Sequence, residues 1–231
     1  MEYSGGTVMS RLAYLPEVEF EPRAIETDNL ADLSLIYEPD VNLCVARRRI
    51  TPGISRFVSH LLVTAPHLER ELIFGSENPA VEKLLPENLQ ALPDAEAWLV
   101  DVEFLIGLFR DLFESTSFGL RLRTLDKAMC PRFHVDRVPV RMIYTYEGPG
   151  TEWLPERAIN RGKLGSGACG QPDETSGLIL DASAIQSIPS CAIALLKGEL
   201  WEGNEGRGAV HRSPGTTPRH PRRLLLTLDL L

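Results

Sequence analysis

The sequence has few cysteines, no long apolar run and none of the common hydrolase or phosphate-binding signatures, and each absence removes a class of function. Its four cysteines, Cys44, Cys130, Cys169 and Cys191, lie far apart with no Cys-Xaa-Xaa-Cys pair, so neither a zinc ribbon nor a disulfide framework is legible. They read as buried or incidental thiols, with Cys130, four residues before His134, the one placed to reach the rim of a site. No stretch approaches the ~20 consecutive apolar residues of a membrane helix, and Met1 to Tyr14 lacks the basic-then-apolar order of a signal peptide. A soluble cytoplasmic protein is therefore expected. There is no Gly-Xaa-Ser-Xaa-Gly elbow, no phosphate loop and no His-Glu-Xaa-Xaa-His helix. Ser213 follows His211 closely, but no third member of a hydrolase triad is identifiable. The Gly203-Asn204-Glu205-Gly206-Arg207-Gly208 run lies between strand candidates rather than opening a helix, which leaves dinucleotide binding unsupported.

What is present is an ordinary globular composition, 231 residues with 43% hydrophobic and 24% charged, enough for one catalytic-size core. The net charge of −8 divides unevenly. Residues 1–117 hold 9 Lys/Arg against 20 Asp/Glu, whereas residues 118–231 hold 15 against 12, so the halves carry −11 and +3. An acidic whole argues against broad nucleic-acid binding but leaves room for a locally basic pocket that attracts a small anionic co-substrate.

The texture also changes between the halves. Residues 1–30 read as a loosely docked lead-in, Asn42 to Ala46 as a strand, and Arg47-Arg48-Arg49 as a solvated edge. Ile54, Phe57, Val58 and Leu61 recur at helical spacing, and after a Pro-rich connector over Asn78 to Pro93 a wide apolar stripe predicts a helix from Asp94, its N-cap, to Ser115. Beyond Gly119 the pattern turns to strands: Leu120 to Leu125 alternates, Val138 to Tyr146 is β-branched and aromatic, and further runs end with Arg223 to Leu230. Helices first and strands afterwards point to an α+β class or a β-sandwich core, with residues 1–117 packed as a helical and extended buttress on a core formed by residues 118–231. Gly162 to Gly177 interrupts the strands as a long flexible loop in which Asp173 and Glu174 are expected to be solvated.

Within the strand-rich half, His134-Val135-Asp136 places an imidazole and a carboxylate two residues apart, on one face of a strand, where both reach a common metal. His211 supplies a second imidazole and Arg223 opens an apolar strand. Two histidines and one carboxylate leave three positions of an octahedral Fe(II) open. Tyr144 or Tyr146 is expected to face the same interior, with Arg141, Thr145 and Trp153 around the pocket. Glu152 and Glu205 are candidate partners for the imidazoles, a role that a carbonyl also fills.

His134-Val135-Asp136, the distal His211 and Arg223, in this order, resemble the Fe(II)/2-oxoglutarate-dependent dioxygenase superfamily. The resemblance implies a double-stranded β-helix, a jelly-roll or cupin-like core, over residues 118–231. It implies His134, Asp136 and His211 as metal ligands and catalytic centre, with Arg223 holding the distal carboxylate of 2-oxoglutarate. Arg222 is the competing arginine, and Leu225 stands where several relatives carry a polar residue. Over the whole chain, Cys130-Pro131-Arg132-Phe133-His134-Val135-Asp136, Gly148 to Leu154, Gly203 to Gly208 and His211-Arg212-Ser213-Pro214 resemble a bacterial family known mainly as a domain of unknown function. Association of that family with zinc-responsive genes and metal-chaperone GTPases implies a metal-homeostasis context and a metal-chaperone partner. Two functions are carried forward: an oxygenase acting on a small molecule or a protein side chain, and a non-catalytic protein holding Zn(II) or Fe(II).

Overall fold

The computed structural model describes residues 21–231. Among these residues ten strands fall into two sheets. The larger is built from β1 (Arg23–Thr27), β2 (Val41–Ala46), β3 (Glu69–Phe74), β4 (Phe118–Leu125), β5 (Val140–Glu147), β8 (Ile193–Lys197) and β10 (Arg223–Leu230), in the order β1-β2-β8-β5-β10-β4-β3. The smaller contains β6 (Glu152–Trp153), β7 (Gln186–Ser187) and β9 (His211–Arg212), in the order β7-β6-β9. Every pairing is antiparallel except β1 with β2. The N-terminal half thus contributes three strands to the large sheet as well as helices to one of its faces.

Those helices are α1 (Pro52–Thr64), the single turn α2 (Glu87–Gln90) and α3 (Ala95–Phe113). Thr51 accepts a hydrogen bond from the Ile54 N–H and Pro52 occupies the first turn, so α1 starts where its sequence favours starting. Asp94 precedes α3 without capping it: it adopts φ 65°, and its carboxylate receives Arg56 instead. Phe57, Val58 and Leu61 of α1 and Trp98, Val102, Leu105 and Phe109 of α3 pack on Leu120, Leu122, Met142, Tyr144, Leu224, Leu226 and Leu228 of the sheet. A buried side chain of this size contributes roughly 1.5–3 kcal/mol, so this face carries much of the stability. The Pro-rich connector joins it through buried Val81, Leu84, Leu85 and Leu89.

Strand alternation sends the intervening residues to the opposite face, where Leu43, Val45, Ile143, Ala194, Leu196 and Leu225 meet Trp153, Ile188 and Ala209 from the side of the small sheet. The lead-in reading of residues 1–20 lies outside the described residues. Residues 23–27 depart from it, because Arg23 pairs with Asp40 and the backbone adds a parallel edge strand to β2. That pairing depends on a partner distant in sequence and leaves no local periodicity. Among the described residues no helix is long and apolar enough to cross a membrane.

Candidate metal centre

His134 and His211, 77 positions apart, sit opposite each other in an isolated antiparallel bridge in which each backbone N–H donates to the other's carbonyl at 3.0 Å. On the same side of β9, Ser213 N–H donates to Cys130 O at 2.8 Å; on its other side, where β6 pairs, Leu154 N–H donates to Val210 O at 3.1 Å. Asp136 lies just past the bridge, on a segment stitched to the end of β8: Glu199 N–H donates to Asp136 O and Gly198 N–H to Pro139 O, both at 2.9 Å. Gly198 is required there, because a β-carbon would run into the carbonyl oxygens of Val138 and Asp136.

These three side chains converge, offering one ligand atom each within 4.8 Å of one another. His211 Nε2 lies 3.2 Å from Asp136 Oδ2 and His134 Nε2 lies 3.7 Å from Asp136 Oδ1. Each imidazole uses Nδ1 on a backbone carbonyl, His134 on Arg132 O at 2.9 Å and His211 on Ala209 O at 3.0 Å. Nδ1 therefore carries the proton and Nε2 keeps its lone pair for a metal. Carbonyls rather than Glu152 or Glu205 fill this role; Glu152 pairs with Arg212. Side-chain exposure of 33% for His134 against 9% and 4% for Asp136 and His211 places the open approach beside His134.

Burial alone would raise the Asp136 pKa, but the two imidazoles and Arg141 outweigh it and hold the carboxyl far below the usual carboxylate range. The same contact with Asp136 raises the His134 pKa. Arg141 donates to Asp136 Oδ1 at 2.6 Å, while Asp136 Oδ2 is buried with no hydrogen-bond partner. An orphaned carboxylate oxygen 3.2 Å from His211 Nε2, with His134 Nε2 on the same carboxylate's other side, is what a divalent cation requires, so the residues present fit a metal.

Arg223 points to this same face of the sheet and is fully buried. It donates to Ser213 Oγ at 2.8 Å and to Thr145 Oγ1 and Thr151 Oγ1 at 3.4 Å, and its Nε has no partner. Burial lowers its pKa to about 10, which leaves it cationic at neutral pH. Arg222 turns away and donates to Leu62 O on α1 at 3.2 Å. Tyr144 and Tyr146 also lie on the helix side, where the Tyr144 ring packs 4.6 Å from that of Tyr146 and Tyr146 donates to Asp101. Alternation along β5 places Arg141, Ile143 and Thr145 on the metal face instead. Trp153 is buried between the sheets.

Asp173, expected in solvent, is buried and accepts from Phe133 N–H at 2.6 Å and from Arg132 Nε at 3.3 Å. Glu174 pairs with Arg212 at 3.0 Å. The glycine-rich segment is thus tied to the residues flanking both histidines, and its backbone follows short 3-10 turns at 161–163 and 165–168. Sequence reasoning missed Asp173, Thr151 and Asp229 because their partners are distant in sequence.

A family of proteins of unknown function, DUF1826, matches residues 27–229. The chain belongs to that family. No curated protein matches this DUF1826 member in sequence. Among solved structures it is similar to Neurospora crassa T7H in complex with alpha-KG, at 12% identity over 93% of this chain and 86% of that one, with TM-score 0.51. The same protein with alpha-KG and 5-formyluracil gives 12% identity, 93% and 86% coverage and TM-score 0.50. Arabidopsis thaliana dioxygenase for auxin oxidation 1 with 2-oxoglutarate is a more distant likeness, at 11% identity, 91% and 92% coverage and TM-score 0.47. The likeness of the DUF1826 chain to T7H is one of fold: a mixed α/β architecture dominated by a large sheet.

Proposed function

We propose that this protein is an Fe(II)- and 2-oxoglutarate-dependent oxygenase acting on a small molecule or a protein side chain. The observation that carries the reading is Arg223. A fully buried guanidinium that forms no ion pair among the described residues, and whose Nε lacks any partner, is costly to keep. The far carboxylate of a dicarboxylic co-substrate supplies the missing anion through a two-pronged, charge-assisted contact. A site that only stored metal would have no use for such a group. The alpha-KG bound to T7H, which is 2-oxoglutarate, accords with this reading through the shared fold.

On this reading the core is a double-stranded β-helix over residues 118–231. The strands β4, β10, β5 and β8 form one wall, and the His134 bridge, β9, β6 and β7 form the other, an arrangement the order of both sheets supports. Residues 1–117 form the N-terminal part that covers and extends the first wall.

His134, Asp136 and His211 would hold Fe(II). The metal together with 2-oxoglutarate would supply the activation of O2 and the oxidising equivalent for substrate. Arg223 orients the co-substrate, the Ser213, Thr145 and Thr151 hydroxyls fix its guanidinium, and Trp153 and Leu225 help exclude water from the interior. The exposed side of His134 marks the approach for substrate.

Protein purified anaerobically and reconstituted with Fe(II) should bind one metal per chain, bind 2-oxoglutarate and release succinate from it. Stoichiometric Zn(II) with no 2-oxoglutarate binding, and no succinate after Fe(II) reconstitution, would overturn the oxygenase and favour a non-catalytic metal-homeostasis protein.

A further inference from the structure

The metal face contains a charged chain that binding of the co-substrate does not require. Asp229, on β10, is 1% exposed and lies between two arginines. Arg121 donates to its Oδ2 at 2.5 Å; Arg141 donates to its Oδ1 through Nε and to its Oδ2 through Nη2 at 3.0 Å. The remaining prong of Arg141, Nη1, reaches Asp136 Oδ1. These groups come from three neighbouring strands in register, since Asp229 stands opposite Arg141 on β5 and Gly119 on β4.

We propose that Asp229 and Arg141 are positioning residues that force Asp136 to offer one oxygen to the metal and not two. The proposal rests on the metal reading above. Its physical basis is the geometry of the carboxylate. Arg141 engages Oδ1, Oδ2 remains the orphan that faces His211 Nε2, and rotation of the carboxylate toward two-oxygen ligation would break a buried charge-assisted bond. One-oxygen ligation keeps a coordination position free, which chemistry at the metal needs and simple storage does not. Asp229 touches no ligand itself. It acts by fixing the guanidinium, because an arginine held at two of its nitrogens cannot swing away from the third contact.

Co(II) titrated into the 231-residue chain under anaerobic conditions tests this, with affinity measured by calorimetry and coordination by the visible absorption of the bound ion. Arg141→Met and Asp229→Asn should each weaken Co(II) binding roughly ten- to a hundred-fold, the range found when groups that orient metal ligands are removed. Both should also change the Co(II) spectrum. The double variant should lose no more affinity than Arg141→Met alone, because Asp229 works only through Arg141. Additive losses, or single variants with the affinity and spectrum of the unaltered protein, would overturn the positioning role while leaving the metal site intact. If the unaltered protein binds no Co(II), the metal reading falls and this proposal with it. Should Arg141→Met fail to fold, Arg141→Lys decides: it keeps a charge without the fork, so unaltered affinity and spectrum would overturn the proposal and loss of both would support it.

Discussion

The two faces of the seven-stranded sheet are made by the same strands and share almost nothing else. Toward the helices, Leu224, Leu226 and Leu228 of β10 join Trp98, Phe57 and Phe109 in an apolar layer. On the other side the same strand presents Arg223, Thr227 and Asp229, all buried, and β5 adds Arg141 and Thr145. Alternation with a period of two lets one strand serve both purposes. The comparison teaches that stability and chemistry are separable here by parity along a strand, so substitutions one residue apart should have unlike consequences.

The sharpest test of that separation is His211→Ala. It should abolish stoichiometric Fe(II) or Co(II) binding, measured by calorimetry, while the unfolding free energy without metal falls by only roughly 0.5–3 kcal/mol, the usual range for a point substitution, through loss of the buried ring and its bond to Ala209 O. A chain that loses its fold along with its metal would break the comparison. On the helix face, Trp98→Ala should cost roughly 3–5 kcal/mol of stability in chemical denaturation. Its folded fraction should bind metal as the parent does; a matching loss of affinity would show the two faces to be coupled.

How far the sequence disclosed these faces depends on the range of the interactions. His134, Asp136 and His211 were legible because a two-residue spacing and a later histidine form an ordered pattern, and alternation favoured Arg223 over Arg222. Tyr144 and Thr145 are both expected at the pocket from the sequence, yet they differ in parity on β5; alternation keeps Arg141 and Thr145 on one face and puts Tyr144 on the other. Asp229 closed the quoted strand, but its significance depends on Arg121 and Arg141, which only strand register brings to it. The burial of Asp173 likewise depends on Phe133 and Arg132, 40 and 41 positions away. The strand at residues 23–27 has no local signature because its partner β2 defines it. The jelly-roll winding and the division at residue 117 belong to the functional proposal.

A smaller effect is expected at Arg223. Arg223→Met should weaken 2-oxoglutarate binding by roughly 1.5–3 kcal/mol, the net value of a charge-assisted hydrogen bond, with metal affinity unchanged. Arg223→Lys should recover only part of the loss, since a point charge replaces a fork. Equal co-substrate affinity in both variants would remove the basis for assigning catalysis to this face.

The mildest test concerns Lys197, a charge on the helix face, 2% exposed, which donates to Glu38 O at 2.8 Å and lies 4.8 Å from the Trp201 ring centre. Burial lowers its pKa from 10.5 to about 8. Below the folded value both states carry the proton and the penalty for burying the charge is complete. Between the two values the unfolded chain holds a proton that the folded chain has released, so this group's contribution to stability rises with pH. Denaturation across that window should show the unaltered protein gaining on Lys197→Met as pH rises; parallel curves would contradict a buried charge on the apolar side.

If the site holds a metal as proposed, the reciprocal backbone bridge between His134 and His211 has a consequence for which ion it accepts. Main-chain hydrogen bonds set the separation of the two backbones and each ring is tethered through Nδ1 to a carbonyl, which restricts how far the pair can tighten or widen to suit an ion's radius. Discrimination among divalent ions must then come from donor chemistry, from the number of positions left to solvent and co-substrate, and from supply in the cell. Exchange of one ion for another would proceed inside a fixed socket, so a wrongly loaded protein should keep the shape of the correctly loaded one and differ only in reactivity.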